Sequence, residues 1–307
     1  MSKKAVIFPG QGSQIVGMGR DFASAGADVD GYFQRASDVL GFDLAKITFE
    51  GPQEDLTRSN VAQPAIFVVS AIGFDLAVKA GFQPDMAAGH SSGEWAALYA
   101  AGVVSYEGAL KALEARGRLM QQACVAEKGG MIAVMGLDQP ALEKLAADAG
   151  IQVANFNSPV QIILSGSAAG IARADELAKA AGAKKVIPLP VAGAFHSRLM
   201  APAAEAFTAL LAGIEMNSPR IPVACNVTGG FHEADPASIR RRMSEQITSS
   251  VQWIRNVETL KAAGAKTYVE CGPGKVLTGL VKRIDIESTL INVTDASTLE
   301  AAKAALA

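Results

Sequence analysis

The stretch that most constrains this chain is Gly-His-Ser-Ser-Gly at Gly89–Gly93, because its spacing suits one kind of turn. Residues 85–88 before it read as a short buried strand, and residues 94–101 after it read as a helix. A Gly-x-Ser-x-Gly between a strand and a helix is typical of a nucleophile elbow, whose glycines permit a very tight turn. The turn lifts the Ser91 hydroxyl clear of the backbone, near helix-terminal amides that can stabilise an oxyanion. Five-residue patterns also arise by chance, but the flanking elements favour Ser91 as the nucleophile of an acyl transfer.

Composition excludes several other classes of function. The chain has 307 residues, and 50% of them are hydrophobic, which is enough to bury a substantial core. Its formal net charge is -2, so no overall positive potential attracts nucleic acid or an anionic membrane. Its three cysteines are widely spaced outside any CxxC pattern, which argues against a disulfide framework or a zinc site and suits a reducing cytosol. The chain start lacks a signal-peptide core, and we expect no apolar run long enough to span a bilayer. The sequence therefore predicts a cytoplasmic protein without nucleic-acid or membrane partners.

The order of predicted elements indicates the fold. Strands alternate with helices along most of the chain, which predicts a mainly parallel sheet covered on both faces. From Gly129 to Pro188 the order changes to strand-helix-strand-strand-helix-strand, as in ferredoxin-like units. We predict an α/β fold with a hydrolase-like, mainly parallel sheet flanked by helices (residues 1–128 and 191–307) and an inserted ferredoxin-like (βαββαβ) subdomain (129–190). Further predicted elements include helices over 19–40, 61–80 and 106–126 and a strand over 223–226.

Three histidines are candidates for the base that a serine hydroxyl needs. His90 precedes the nucleophile directly, so its side chain should diverge from Ser91 and pack or hydrogen-bond near the site. His232 lies in a loop-like stretch and is expected at the solvated surface. His196 lies at the start of a helix, where the chain returns from the insertion to the main sheet. It is the best candidate base, with a capping or packing role as the alternative.

The group that would orient the base stays open at this point. Four acidic residues could do so, and a backbone carbonyl or an amide side chain is equally consistent with the chain. The four are Asp235, Glu245, Glu258 and Glu270.

Arg116 is the second informative residue, because it lies in an otherwise apolar helix. A guanidinium on an inward face is costly unless it is paired. Its partner is either a structural carboxylate such as Glu94 or the carboxylate of a substrate, which suits the planar fork of arginine.

Six segments, in order along almost the whole chain, resemble the malonyl-CoA:acyl carrier protein transacylases, which share the acyltransferase fold of polyketide and fatty acid synthases. Singly these segments are modest signals, but together they are specific. They lie at 8–14, 89–94, 116–121, 194–197, 246–253 and 272–277.

The resemblance implies a role for individual residues. Ser91 would be the acylated nucleophile and His196 its base, oriented by a main-chain carbonyl near Gln246. The backbone amides of Gln11 and Ser92 would hold the oxyanion. Arg116 would pair with the free malonyl carboxylate, and Asn155 and Asn157 would lie along the pantetheine channel. The implied substrate-binding set is Arg116, Gln246, His90, Met120, Phe195, Asn155 and Asn157.

Two positions depart from the commonest family pattern. Ser92 stands where leucine is frequent and puts a second hydroxyl near the first. Trp95 stands where tyrosine is frequent and is large enough to alter the floor of the pocket. The oxyanion role of Ser92 uses a backbone amide, which its side chain does not affect.

The resemblance implies ping-pong transfer of malonyl from malonyl-CoA to acyl carrier protein through a malonyl-serine, supplying fatty acid synthesis. It implies no metal or redox cofactor, and we expect a monomer. Three alternatives are a trans-acting acyltransferase of a polyketide synthase, a serine hydrolase of acyl thioesters, and a non-catalytic carrier-binding module. The presence of Ser91, His196 and Arg116 argues against the last.

Overall fold

The computed structural model describes residues 3–306, so residues 1, 2 and 307 of the predicted large subdomain lie outside the described residues. Its strands, in chain order, are β1 (Lys3–Phe8), β2 (Met86–Gly89), β3 (Gly129–Met135), β4 (Gln152–Ser158), β5 (Gln161–Ser167), β6 (Lys185–Pro188), β7 (Ala265–Cys271) and β8 (Thr289–Val293). Its α-helices are α1 (Val29–Leu40), α2 (Leu44–Glu50), α3 (Gln53–Thr57), α4 (Ser59–Lys79), α5 (Glu94–Ala100), α6 (Tyr106–Ala126), α7 (Gln139–Asp148), α8 (Ala168–Ala180), α9 (Ala201–Leu211), α10 (Pro236–Glu245), α11 (Trp253–Ala262), α12 (Val276–Ile284) and α13 (Ala296–Leu306).

The first sheet is parallel throughout, in the order β2-β1-β7-β8. Its central strand β1 is apolar from Ala5 to Phe8 and fully buried there, as expected for a sheet covered on both faces. Phe8 pairs with Gly89, so β1 and β2 end side by side. The loop after β1 therefore lies beside the turn after β2, at the edge where ligands bind in open α/β sheets.

The second sheet is antiparallel, in the order β4-β5-β3-β6. Helices α7 and α8 share a buried apolar cluster with its strands. The chain order βαββαβ with this strand order is the ferredoxin-like arrangement. The predicted fold class is thus confirmed: a parallel α/β sheet and an inserted antiparallel unit. The two parts join where Val251 donates to the carbonyl of Ala154 and Phe156 donates to the carbonyl of Val251, at 2.8 Å and 3.0 Å.

Helix α4 corrects one expectation from the sequence. It is long and apolar enough to span a membrane by length and composition, so the prediction that no apolar run has that length was wrong. Its most apolar window is 89% buried inside the protein, against β7, β8 and α6, which is the environment of a core helix.

Other local differences have identifiable causes. The helix predicted over 19–40 is interrupted, because Gly26 adopts φ 81° after a short 3₁₀ turn and Asp28 then caps α1. Helix α2 was not predicted; the Asp43 side chain caps it by accepting from the Lys46 amide. The strand predicted over 223–226 is instead two isolated bridges, one parallel to β2 at Ala87 and one antiparallel to Phe231.

The close approach of β1 to the turn after β2 makes a prediction about Gly93. A Cβ there would lie 2.3 Å from the carbonyl oxygen of Phe8, a backbone atom held in the sheet. We expect Gly93→Ala to lower the free energy of unfolding by more than about 2 kcal/mol in urea denaturation. Gly279→Ala is the control, since nothing lies within 4 Å of its added Cβ, and it should be neutral or stabilising by up to ~1 kcal/mol. Equal effects of the two changes would contradict this account.

Candidate active site

Ser91 lies at a strained turn between β2 and α5. Its φ is 53°, and the other non-glycine residue with positive φ within 3–306 is His196, at 56°. Positive φ costs a residue with a Cβ of the order of 1–2 kcal/mol, so the surroundings must hold it. A Cβ on Gly89 would lie 2.0 Å from the carbonyl carbon of Gly93, so the turn can close only with glycine there. The predicted elbow geometry is present.

Asn226 holds the backbone of this turn from behind. Its Oδ1 accepts from the Ser91 amide at 2.7 Å, and its Nδ2 donates to the Gly89 carbonyl at 2.8 Å. Asn256 accepts from the same Nδ2 at 3.0 Å, and Asn226 is fully buried. Sequence reasoning missed Asn226; an amide side chain directly after an apolar run was the available signal.

His196 contacts the nucleophile and is oriented by two carbonyls. Its Nε2 lies 2.7 Å from Ser91 Oγ, and its Nδ1 lies 3.0 Å from the Gln246 carbonyl and 3.1 Å from that of Ser249. Since carbonyls only accept, Nδ1 carries the proton and Nε2 is free to accept from the serine. Within the described residues, none of the four candidate acids hydrogen-bonds to this ring. The geometry is that of a dyad oriented by backbone carbonyls.

Burial and the nearby Arg116 charge lower the pKa of His196 to about 3. Both effects disfavour the imidazolium, because it would lack solvation and be repelled by the guanidinium. The imidazole is therefore neutral at pH 7 and can accept the Ser91 proton.

Arg116 is buried at 1% exposure and is held by neutral groups. Its Nη1 donates to Gln63 Oε1 and its Nη2 to Gln246 Oε1, both at 2.9 Å, and Nη2 also donates to Ser91 Oγ at 3.1 Å. Burial lowers its pKa to about 10, with the Glu94 charge opposing the shift, so it stays charged at pH 7.

Glu94, the structural partner considered from sequence, is separated from Arg116 by an amide. The Gln246 side chain lies between them, donating from Nε2 to Glu94 and accepting from Arg116 on Oε1. No carboxylate hydrogen-bonds to Arg116 in the described part of the chain, so its charge is free to bind a ligand carboxylate.

A cleft of about 300 Å³ contains these groups and is lined from both subdomains. Nine of the residues predicted for the site line it: Gln11, His90, Ser91, Arg116, Met120, Asn155, Asn157, Phe195 and His196.

Two predicted residues do not line the cleft. The Ser92 side chain is buried without a hydrogen-bond partner in the described residues, so it presents no second hydroxyl to a ligand. Gln246 lies behind Arg116, to which its side chain binds, and its backbone carbonyl accepts from His196. Trp95 is also absent from the cleft wall and packs edge-on against Phe207, so the expectation that it shapes the pocket floor was wrong.

His90 and His232 have different outcomes. His90 Nε2 lies 2.8 Å from Asn157 Oδ1 and connects the elbow to β4, which confirms the predicted hydrogen bonding near the site. The surface position expected for His232 was wrong, because its side chain is 1% exposed and contacts Glu94 at 2.6 Å. Glu94, Cys225 and His232 also place one potential metal-ligand atom each within 4.8 Å of one another.

The strain at Ser91 makes a prediction with a matched control. Ser91→Gly and Ser91→Ala both remove the hydroxyl and its contacts, but only glycine adopts φ 53° without strain. We expect the glycine variant to be more stable than the alanine variant by about 1 kcal/mol in denaturant unfolding. Equal stability of the two variants, or a more stable alanine variant, would show that the turn stores no strain.

Comparisons with known proteins agree with this geometry. The chain matches the family described as "Acyl transferase domain" over residues 6–299. It is 40% identical to the malonyl CoA-acyl carrier protein transacylase of Bacillus subtilis, over 98% of this chain and 96% of that protein. A solved acyl carrier protein S-malonyltransferase from Vibrio cholerae superposes with a TM-score of 0.94 at 44% identity, over 98% of this chain and 99% of that one.

A second solved structure contains a carrier protein. It is a complex of a type II polyketide-synthase acyl-carrier protein with its malonyl-transacylase, and it matches with a TM-score of 0.95 at 38% identity, over 99% of this chain and 100% of that one.

Proposed function

The chain belongs to the acyl transferase family, and we propose from this premise that it transfers malonyl from malonyl-CoA to the pantetheine thiol of acyl carrier protein. The observation that carries the proposal is the convergence of three groups in one cleft: the Ser91 hydroxyl, the neutral His196 ring and the buried Arg116 charge. The relatives named for this reaction support the substrate and the acceptor.

The first half-reaction acylates Ser91. His196 Nε2 takes the hydroxyl proton while Ser91 Oγ attacks the thioester carbonyl of malonyl-CoA. The tetrahedral oxyanion is held by the backbone amides of Gln11 and Ser92 in this proposal. The carbon–sulfur bond then breaks, and the proton on His196 passes to the leaving CoA sulfur.

The second half-reaction reverses these steps with a different thiol. His196 takes the proton of the carrier's pantetheine thiol, whose sulfur attacks the malonyl-serine ester. The carbon–oxygen bond breaks and Ser91 Oγ regains its proton. Each proton transfer uses a side chain of the chain itself, so the proposal includes no metal or redox cofactor.

Arg116 selects malonyl in this scheme. A carboxylate within reach of Nη2 makes a charge-assisted hydrogen bond, whereas an acetyl group leaves the buried guanidinium without a negatively charged partner. His90, Met120, Phe195, Asn155 and Asn157 form the rest of the wall against which malonyl and pantetheine pack.

Fatty acid synthesis is the pathway we propose, with a polyketide synthase as second candidate because of the solved carrier complex. We infer a cytoplasmic location, because the three cysteines are free thiols. We also infer a monomer, since one chain supplies all the cleft residues named above.

Intact-protein mass spectrometry tests the function. We expect wild type to gain one malonyl group from malonyl-CoA and to lose it to added holo acyl carrier protein, while Ser91→Ala gains none. A hydrolase would instead lose the adduct to water at the same rate with and without the carrier, which would contradict the proposal. No adduct on wild type would contradict the substrate assignment.

A further inference from the structure

A buried ion pair lies behind the elbow, outside the lining of the cleft. His232 Nε2 and Glu94 Oε1 are 2.6 Å apart, and both side chains are 1% exposed. Neither residue touches the place where substrate binds, and the proposed reaction steps use neither. Burying a charged pair costs desolvation free energy, so any gain must come from its contacts with neighbouring groups.

The Glu94 carboxylate supports two residues that shape the site. Its Oε1 accepts from the Asn226 backbone amide at 3.2 Å, and its Oε2 accepts from Gln246 Nε2. Asn226 holds the Ser91 backbone, and Gln246 Oε1 accepts from Arg116 at 2.9 Å. The Glu94 carboxylate is thus linked to the elbow through Asn226 and to Arg116 through Gln246.

This arrangement creates a competition for Arg116. Without a cation of its own, the Glu94 carboxylate would attract the nearby guanidinium, which it already stabilises across Gln246. Arg116 would then be directed towards Glu94 and away from Ser91 and an incoming carboxylate.

We propose that His232 is a positioning residue that determines acyl-group specificity: it neutralises Glu94 and so leaves the charge of Arg116 available to the malonyl carboxylate. This inference rests on the proposed malonyl transfer. The neutral side chain of Gln246 separates Arg116 from the pair of Glu94 and His232. Its Nε2 donates to Glu94 and its Oε1 accepts from Arg116.

The protonation state of His232 agrees with this role. Burial alone would lower its pKa, but the nearby Cys225 side chain and the hydrogen bond and charge of Glu94 raise the pKa to about 10. The ring is therefore a cation at pH 7, unlike that of His196.

The test compares malonyl-CoA with acetyl-CoA in the acylation of Ser91. We expect His232→Gln, which keeps a donor to Glu94 but not the charge, to lower the malonyl-to-acetyl ratio of kcat/KM at least about tenfold, mainly through the KM for malonyl-CoA. Acetyl transfer should change less, because acetyl has no carboxylate for Arg116 to bind. Phe33→Leu, a buried change in α1, is the control for reduced stability and should leave the ratio unchanged.

A second variant separates charge from shape. Glu94→Gln with His232→Gln removes both charges, so nothing competes for Arg116, and the ratio should recover most of what the His232 variant loses. An unchanged ratio in His232→Gln, or a double variant whose ratio stays as low as that of His232→Gln, would overturn the inference.

Wild type alone supplies a measurement that does not depend on folding of the variants. With ¹⁵N-labelled histidine, the three rings give separate spectra, and His232 should be doubly protonated at pH 8 while His196 is neutral. A neutral His232 at pH 8 would overturn the inference. Failure of wild type to transfer malonyl would contradict the proposed function instead, so the two failures are distinguishable.

Discussion

The buried guanidinium of Arg116 is the constraint on which the rest of the site depends. Its hydrogen-bond partners are two amide oxygens and the Ser91 hydroxyl, so these contacts hold the guanidinium in place without cancelling its charge. That charge contributes to the low pKa of His196, which keeps the base neutral. It also leaves a carboxylate-binding group beside the nucleophile. One interaction thus affects both the chemistry and the choice of substrate.

The fold makes this arrangement possible by ending strands side by side. The carboxyl ends of β1 and β2 meet at Phe8 and Gly89, so the loop that contains Gln11 lies against the elbow. The glycines at 89 and 93 allow backbone contacts that any side chain would prevent. The antiparallel unit supplies the opposite wall of the cleft, and the hydrogen bond between His90 and Asn157 joins the two walls.

Local sequence patterns predicted the elbow and the order of strands and helices, but they did not predict the long-range polar contacts. The elbow, its strand and its helix lie within a short segment, and the βαββαβ order is visible in the sequence itself. Asn226 is 135 residues from Ser91, and His232 is 138 residues from Glu94, so neither contact leaves a local pattern. His232 was misplaced because its Gly-rich surroundings resemble a solvated loop. The resemblance pointed to a carbonyl near Gln246, but not to the side chain of Gln246 as the link between Arg116 and Glu94.

The most direct measurement compares the rates at which malonyl-CoA and acetyl-CoA acylate Ser91 in wild type and in Arg116→Ala. Arg118→Ala is the control, because it removes an exposed arginine of the same helix that pairs with Glu114. Since removing one partner of a buried charge pair costs about 2–5 kcal/mol, Arg116→Ala should slow malonyl acylation at least about thirtyfold and slow acetyl acylation much less. Equal slowing of both substrates, or undiminished malonyl acylation, would contradict the account that Arg116 binds the malonyl carboxylate.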